Sequence, residues 1–332
     1  PEYTYVPDDN FEQALIDQGY DNALDNYVLT SNVSNLNGLE VNMLGITDLT
    51  GIEAFSALEV FGAWGNQITS IDLSSNTLLK NAGLSDNQLT SINVSSNTDL
   101  EELLLQNNNL SSLDISGNTL LSVLRVGANQ LTSINLDNNT ALTTLEVNSN
   151  QISILDLSNQ AQLNILKCDN NQLASIDFSS NTNLETLEIH SNQLTSLDIS
   201  NNVNLTDLNC SYNQFQSLDF SNNVNLINLY LYDNQLTSLD VSLNTFLRVL
   251  NVDNNQITSL NVTNNNALTT LRCYDNQLTS LDVSNNNMLT DLNLYGNELS
   301  SIDVSNNIEL LELNLGNNNT FSELDITNNV NL

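Results

Sequence analysis

The sequence predicts a β-rich solenoid, a coil with short strands on two faces that is closed at its start by a short helical cap. Three observations predict it. One unit of about 21 residues recurs thirteen times between Leu58 and Asn331, with a single slip near Thr320 and Phe321, and chance does not hold a register that long. Each unit carries two L-x-L alternations, the period-two signature of a half-buried strand. Each alternation is followed by a polar turn that ends on Asn.

Residues 1–35 stand outside the repeat. The segment DDNFEQALIDQG places Asp9 as an N-cap with Glu12 three residues on, Phe11 and Leu15 on one face, and Gly19 as a stop; this predicts a short helix capping the first coil. Residues 36–57, including LGITDLTGIEAFSA, read as a divergent transition repeat of 22 residues. Residues 58–332 hold the thirteen regular units, for example LTTLEVNSNQISILDLSNQAQ from Leu142 and LETLEIHSNQLTSLDISNNVN from Leu184. The first motif Asn is present in every unit, Asn66 to Asn318, and the second in all but one, where Gln160 replaces it. A buried turn leaves backbone groups in need of partners, and an Asn amide supplies both donor and acceptor, so both columns read as structural ladders. Leu332 opens a further unit with no polar C-terminal cap after it, which predicts either more chain or a partner, including a second copy, at that end.

Composition narrows the function. Asp and Glu number 39 against five Lys and Arg, for a net charge of -34, a field that repels nucleic acid and anionic membrane surfaces. No apolar run approaches the ~18 residues of a membrane-spanning helix. Cys168, Cys210 and Cys273 fall where neighbouring units carry Val147, Ile189 and Val252, and read as small buried hydrophobes too far apart to be bridged. His190 is the single histidine and has no matching nucleophile motif, phosphate loop or metal cluster beside it, so no catalysis is predicted.

With nested L-x-x-L-x-L-x-x-N and L-x-x-L-D-L halves, the chain resembles bacterial leucine-rich-repeat proteins, in particular the 21-residue subclass called IRREKO. Its start, YVPDDNFEQALIDQGYDNALDNYVLT, is similar to the cap that precedes such arrays in secreted proteins of marine Bacteroidetes. The resemblance implies a right-handed leucine-rich-repeat coil, a secreted or cell-surface location, and recognition of a partner without catalysis or cofactor.

Positions free to vary between units point to the ligand face. The central residue of the first strand includes Arg125, Lys167, Tyr230 and Arg272; the residue just after that strand includes Trp64, His190, Tyr232, Tyr274 and Tyr295, with Tyr212 on the rim. Tyr and Arg side by side compose a recognition hot spot for a protein, or for a polysaccharide through ring stacking. The competing reading is that these rings only stabilise the sheet by cross-strand contact. The second strand shows a nearly uniform Asp column, including Asp177, Asp198, Asp219 and Asp240, beside a Ser column. Such a row either offers weak Ca²⁺ sites, supporting a structural or adhesive rod, or fixes each turn by hydrogen bonds.

Overall fold

The computed structural model describes residues 2–332 and divides into two units, Pro1–Leu163 and Asn164–Leu332. In the first unit, strand β1 (Tyr3–Tyr5) pairs antiparallel with β2 (Tyr27–Leu29), enclosing helix α1 (Asp9–Asp17); a one-turn helix α2 (Thr30–Val33) comes next. Phe11 and Leu15 are fully buried, which is the apolar face that the sequence predicts for α1. The N-cap is Asp8 rather than Asp9, with Asp8 Oδ1 accepting from the amides of Asn10 and Phe11, both at 3.0 Å. Its other oxygen accepts from the Thr47 and Asp48 amides at 2.8 and 3.1 Å, so a contact 40 residues away selects between two adjacent aspartates. Glu12 does not close a capping box. It is buried, and its carboxylate accepts from the amides of Asp25 and Tyr27. Gly19 ends the helix at φ 81°, a backbone that glycine adopts without strain.

The rest of the first unit is a parallel stack in chain order: β3 (Gly38–Glu40), β4 (Val60–Gly62), β5 (Asn81–Gly83), β6 (Glu102–Leu104), β7 (Val123–Arg125) and β8 (Thr144–Glu146). The second unit repeats the arrangement with β9 (Ile165–Lys167), β10 (Thr186–Glu188), β11 (Asp207–Asn209), β12 (Asn228–Tyr230), β13 (Val249–Asn251), β14 (Thr270–Arg272), β15 (Asp291–Asn293) and β16 (Glu312–Asn314). With β4 to β8 in one unit and β9 to β16 in the other, the regular coils number thirteen, and the chain is a parallel-strand β-solenoid.

The leucine columns form the core: Leu187, Leu229 and Leu271 at strand centres are fully buried. The first Asn column bridges successive coils. Asn213 Nδ2 donates to Ile189 O and Cys210 O, both at 3.1 Å, and its Oδ1 accepts from Leu194 N. In the second column, Asn223 Nδ2 donates to Ile199 O and Asn202 O at 3.0 and 2.9 Å. The second face departs from the expectation of a short strand in each coil: among the described residues it pairs only at two isolated bridges, Asp72 with Asn93 and Asp240 with Asn261. Each Asp or Asn there takes the amide two residues on, as Asp198 takes Ser200 N at 3.0 Å and Asp219 takes Ser221 N at 2.9 Å, and the backbone amides beyond it close turns within their own coil, as Asn223 N does on Phe220 O. The three cysteines are free and fully buried, and burial pushes their thiols well above the usual range, which leaves them unreactive.

Candidate functional site

Each coil presents three variable side chains: the outward residue that ends the strand, the residue two positions on, and the turn residue next to that, which has positive φ. In the second unit the turn column reads Asn170, Ser191, Tyr212, Asp233, Asn254, Asp275, Gly296 and Asn317, at φ between 48° and 68°. Small residues and Asn or Asp suit this backbone, whereas a bulky side chain there is strained. Tyr212 is the bulky exception, at φ 50° and 52 % exposed. It therefore belongs to the turn column rather than to the strand columns.

The Tyr212 ring packs edge-on against Tyr232, with centroids 5.2 Å apart at 84°. The adjacent Asp233 carboxylate raises the pKa of the Tyr212 phenol. On the next coil, Asn254 Nδ2 donates to Asp233 Oδ1 at 3.2 Å and to the Tyr274 hydroxyl at 2.7 Å. Tyr212, Tyr232 and Tyr274 are thus drawn into one line across four coils by the ring contact and these polar links. Tyr230, the outward residue of β12, is half-buried, and burial raises its phenol pKa, with Asp207 adding to the effect. Tyr295 leans over Gly316, where a Cβ would come within 2.9 Å of the ring.

The predicted basic residues lie against acids of the same face. Arg272 Nε is 3.4 Å from Asp253 Oδ2, and its Nη1 is 3.7 Å from Asp291 Oδ2. Asp253 is only 3 % exposed and accepts from Tyr274 N at 2.7 Å; burial nonetheless outweighs these contacts and pushes its pKa up to about 6. Lys167 stands in register with Glu188. His190 Nε2 lies 3.3 Å from Asp169 and 3.9 Å from Glu188. In the first unit, Arg125 Nε is 3.5 Å from Glu146. The expected row of bases that would attract an anion is therefore locally neutralised, and what remains presented is aromatic and polar. Trp64 and Arg125 belong to the first unit and do not join the tyrosine line.

His190 Nδ1 is also 3.2 Å from the Ser191 hydroxyl, so serine, histidine and aspartate fall in a row. Among the described residues no cluster of three or more His, Cys, Asp or Glu could hold a metal ion. The aspartate column, Asp177 included, accepts from the amide two residues on.

Sequence reasoning missed a groove of about 560 Å³ in the second unit, where Phe246, 60 % exposed, sits with Ile227, Arg248 and Ala267. Its signal was available: Ile227 and Arg248 occupy the position before the strand, where Glu185 and Thr206 stand in the preceding coils.

No family model and no curated protein matches the chain. Solved structures do. The functional domain of InlJ from Listeria monocytogenes, described as including a cysteine ladder, is 33 % identical over 94 % of this chain and 75 % of its own, with a TM-score of 0.84. An internalin, InlF, from the same species is 25 % identical over 92 % of this chain and 94 % of its own, at a TM-score of 0.72. A leucine-rich-repeat protein of Leptospira interrogans, 24 % identical over 88 % of this chain and 81 % of its own at a TM-score of 0.68, shares the fold.

Proposed function

Because the chain belongs to the bacterial leucine-rich-repeat family, we propose that it is a non-catalytic recognition module of the cell surface or secreted space, binding a partner protein through the tyrosine line of its second unit. One observation carries this reading. Tyr212 holds an exposed ring on a backbone that disfavours it, where other coils of the unit place Gly, Asn, Asp or Ser. Strain of this kind is retained where a side chain serves something other than folding. Supporting it, Tyr212, Tyr232 and Tyr274 are exposed or half-exposed, and tyrosine adds large amphipathic contact area with little rotamer entropy to lose. A protein partner is favoured over an anionic polysaccharide because the nearby Arg272 is already paired with two carboxylates. No helix among the described residues is long and apolar enough to cross a membrane.

The test compares the native chain with Tyr212→Asn and with the double variant Tyr232→Ala, Tyr274→Ala, each folded by its melting curve. A partner captured from the protein's own surroundings by the native chain, and lost by both variants, supports the reading. Equal capture by all three overturns it, and a glycan array run in parallel shows whether a polysaccharide takes the same surface.

A further inference from the structure

We propose that a notch beside Trp64 in the first unit binds an alkylammonium group, either a quaternary ammonium head or a lysine side chain. The site is separate from the tyrosine line and does not depend on it. The outward residue of the strand is Gly62 in β4 and Gly83 in β5, directly in register, whereas β6, β7 and β8 carry Leu104, Arg125 and Glu146 there. Two missing side chains on successive strands open a notch of about 250 Å³. That is below the range of pockets for drug-sized ligands, so it suits a single head group.

The walls are apolar and the ends acidic. Trp64 and Val60, 42 % and 43 % exposed, line the notch with Leu104. Glu40 folds over Gly62, where a Cβ would collide with its carboxylate, and Glu102 accepts from Asn81 Nδ2 at 2.8 Å. Neither carboxylate has a basic partner among the described residues. The nearest candidate in sequence, Lys80, is held by Glu59 at 2.7 Å. Elsewhere on this face the chain supplies the cation itself: Glu146 has Arg125, Glu188 has Lys167 in register beside it, and Asp253 and Asp291 have Arg272. Here the carboxylates stand beside an open indole and no cation.

An indole face attracts a cation more strongly than the other aromatic rings, aliphatic walls accept its methyl or methylene groups, and the charge of -34 concentrates cations near the surface. A metal ion is the wrong occupant. Glu40 and Glu102 lie on β3 and β6, three strand spacings or roughly 14 Å apart along the stack, too far to share one ion. An anion is excluded by the same two charges.

Trp64 is the only tryptophan, so its emission, excited beyond the tyrosine band, reports this notch alone. The full chain is titrated with tetramethylammonium, with Nα-acetyl-lysine amide, with neutral neopentyl alcohol, and with NaCl at matched ionic strength. The expected result is a saturable change with at least one cation and none with the alcohol or the salt. A stronger response to tetramethylammonium identifies a small quaternary cation, and a stronger response to the lysine amide identifies a partner's lysine. Gly83→Leu fills the notch; a Cβ there meets only Phe61 O at 3.8 Å and Gly62 Cα at 3.9 Å, both ordinary contacts. It should weaken binding about tenfold or more with an unchanged melting temperature, as should Glu102→Gln, while Tyr212→Asn leaves binding intact. No saturable response to either cation, an equal response to the alcohol, or unaltered binding by Gly83→Leu overturns the proposal.

Discussion

The two halves of each coil are nearly the same in sequence and differ in how they satisfy their backbone. In the first half, amides reach the neighbouring coil, as Cys210 N donates to Tyr230 O and Leu231 N to Asn251 O. In the second half they turn back on their own coil, as Asn223 N donates to Phe220 O and Leu226 N to Asn223 O. Coil-to-coil linkage on that side falls largely to the amide of the second Asn column, such as Asn223. The difference teaches that one short L-x-L pattern forms a strand or a turn according to the polar residues around it. Capture of the amide two residues on occurs in both halves, since Asn209 and Asn251 make it within β11 and β13; the strand half differs in having a residue able to enter positive φ ahead of a buried Asn.

The sharpest way to break this comparison is to remove one Asn from each column. Asn213→Ala deprives the Leu194 amide of its acceptor and removes one of two donors from the Ile189 and Cys210 carbonyls, which Asn192 and Asn234 still serve, and should destabilise by about 2 to 4 kcal/mol, at about 1 to 3 kcal/mol for the orphaned amide and roughly 0.5 to 1 kcal/mol for each bond lost. Asn223→Ala orphans no backbone group, because the Ile199 and Asn202 carbonyls keep the Asn202 and Leu205 amides, and the oxygen it deletes is buried without a partner, so the loss should be smaller, about 1 to 2 kcal/mol. Urea unfolding of both variants decides it; equal losses would show that the two columns do equivalent work.

A smaller effect belongs to the strand face. Asp253 has its pKa raised to about 6 in the folded chain, from an ordinary value of 3.8. Because the folded state holds this proton more tightly, the stability it contributes is complete below about pH 4 and is lost as pH rises through about 6. Asp253→Asn keeps an acceptor for Tyr274 N and removes the buried charge. It should raise stability at pH 8 by about 1 to 2 kcal/mol, at 1.36 kcal/mol per pKa unit less solvent screening, with the gain vanishing near pH 4. Melting curves across that range check it, and a gain independent of pH would refute the assignment. Tyr212→Asn should change stability by less, a gain of up to about 1 kcal/mol, because relief of 1 to 2 kcal/mol of backbone strain is offset by the lost ring contact with Tyr232.

Much of this was legible along the chain, and what was not came from contacts between distant residues. The period assigns the buried leucines, both Asn columns and the cysteines, because every coil repeats one environment. The α1 cap was misplaced by one residue because Asp8 and Asp9 are equivalent until Thr47 and Asp48 bind Asp8. The tyrosines were visible as departures from the repeat, yet the strain at Tyr212 required knowing that its column has positive φ. The pairing of Arg272 with Asp253 joins residues 19 apart, almost one period, and so is hidden when each column is read alone. The notch at Gly62 and Gly83 escaped notice because its signal is two absent side chains.

The smallest expected effect concerns the acidic face. A row of aspartates at one per coil invites a cation, but one oxygen of Asp198, Asp219, Asp240 and Asp282 is already committed to the amide two residues on. Those bonds hold the carboxylates below their usual pKa. The folded state therefore favours the charged form, so this contribution is present above about pH 4 and is lost as pH falls through the depressed values. Repulsion between neighbours along the column is weak in water and is screened further by any salt. Melting in EDTA, in millimolar Ca²⁺ and in NaCl of matched ionic strength should give curves that coincide within error. A higher melting temperature in Ca²⁺ than in matched NaCl, abolished by Asp219→Asn with Asp240→Asn, would restore the cation reading and make this face a second functional surface.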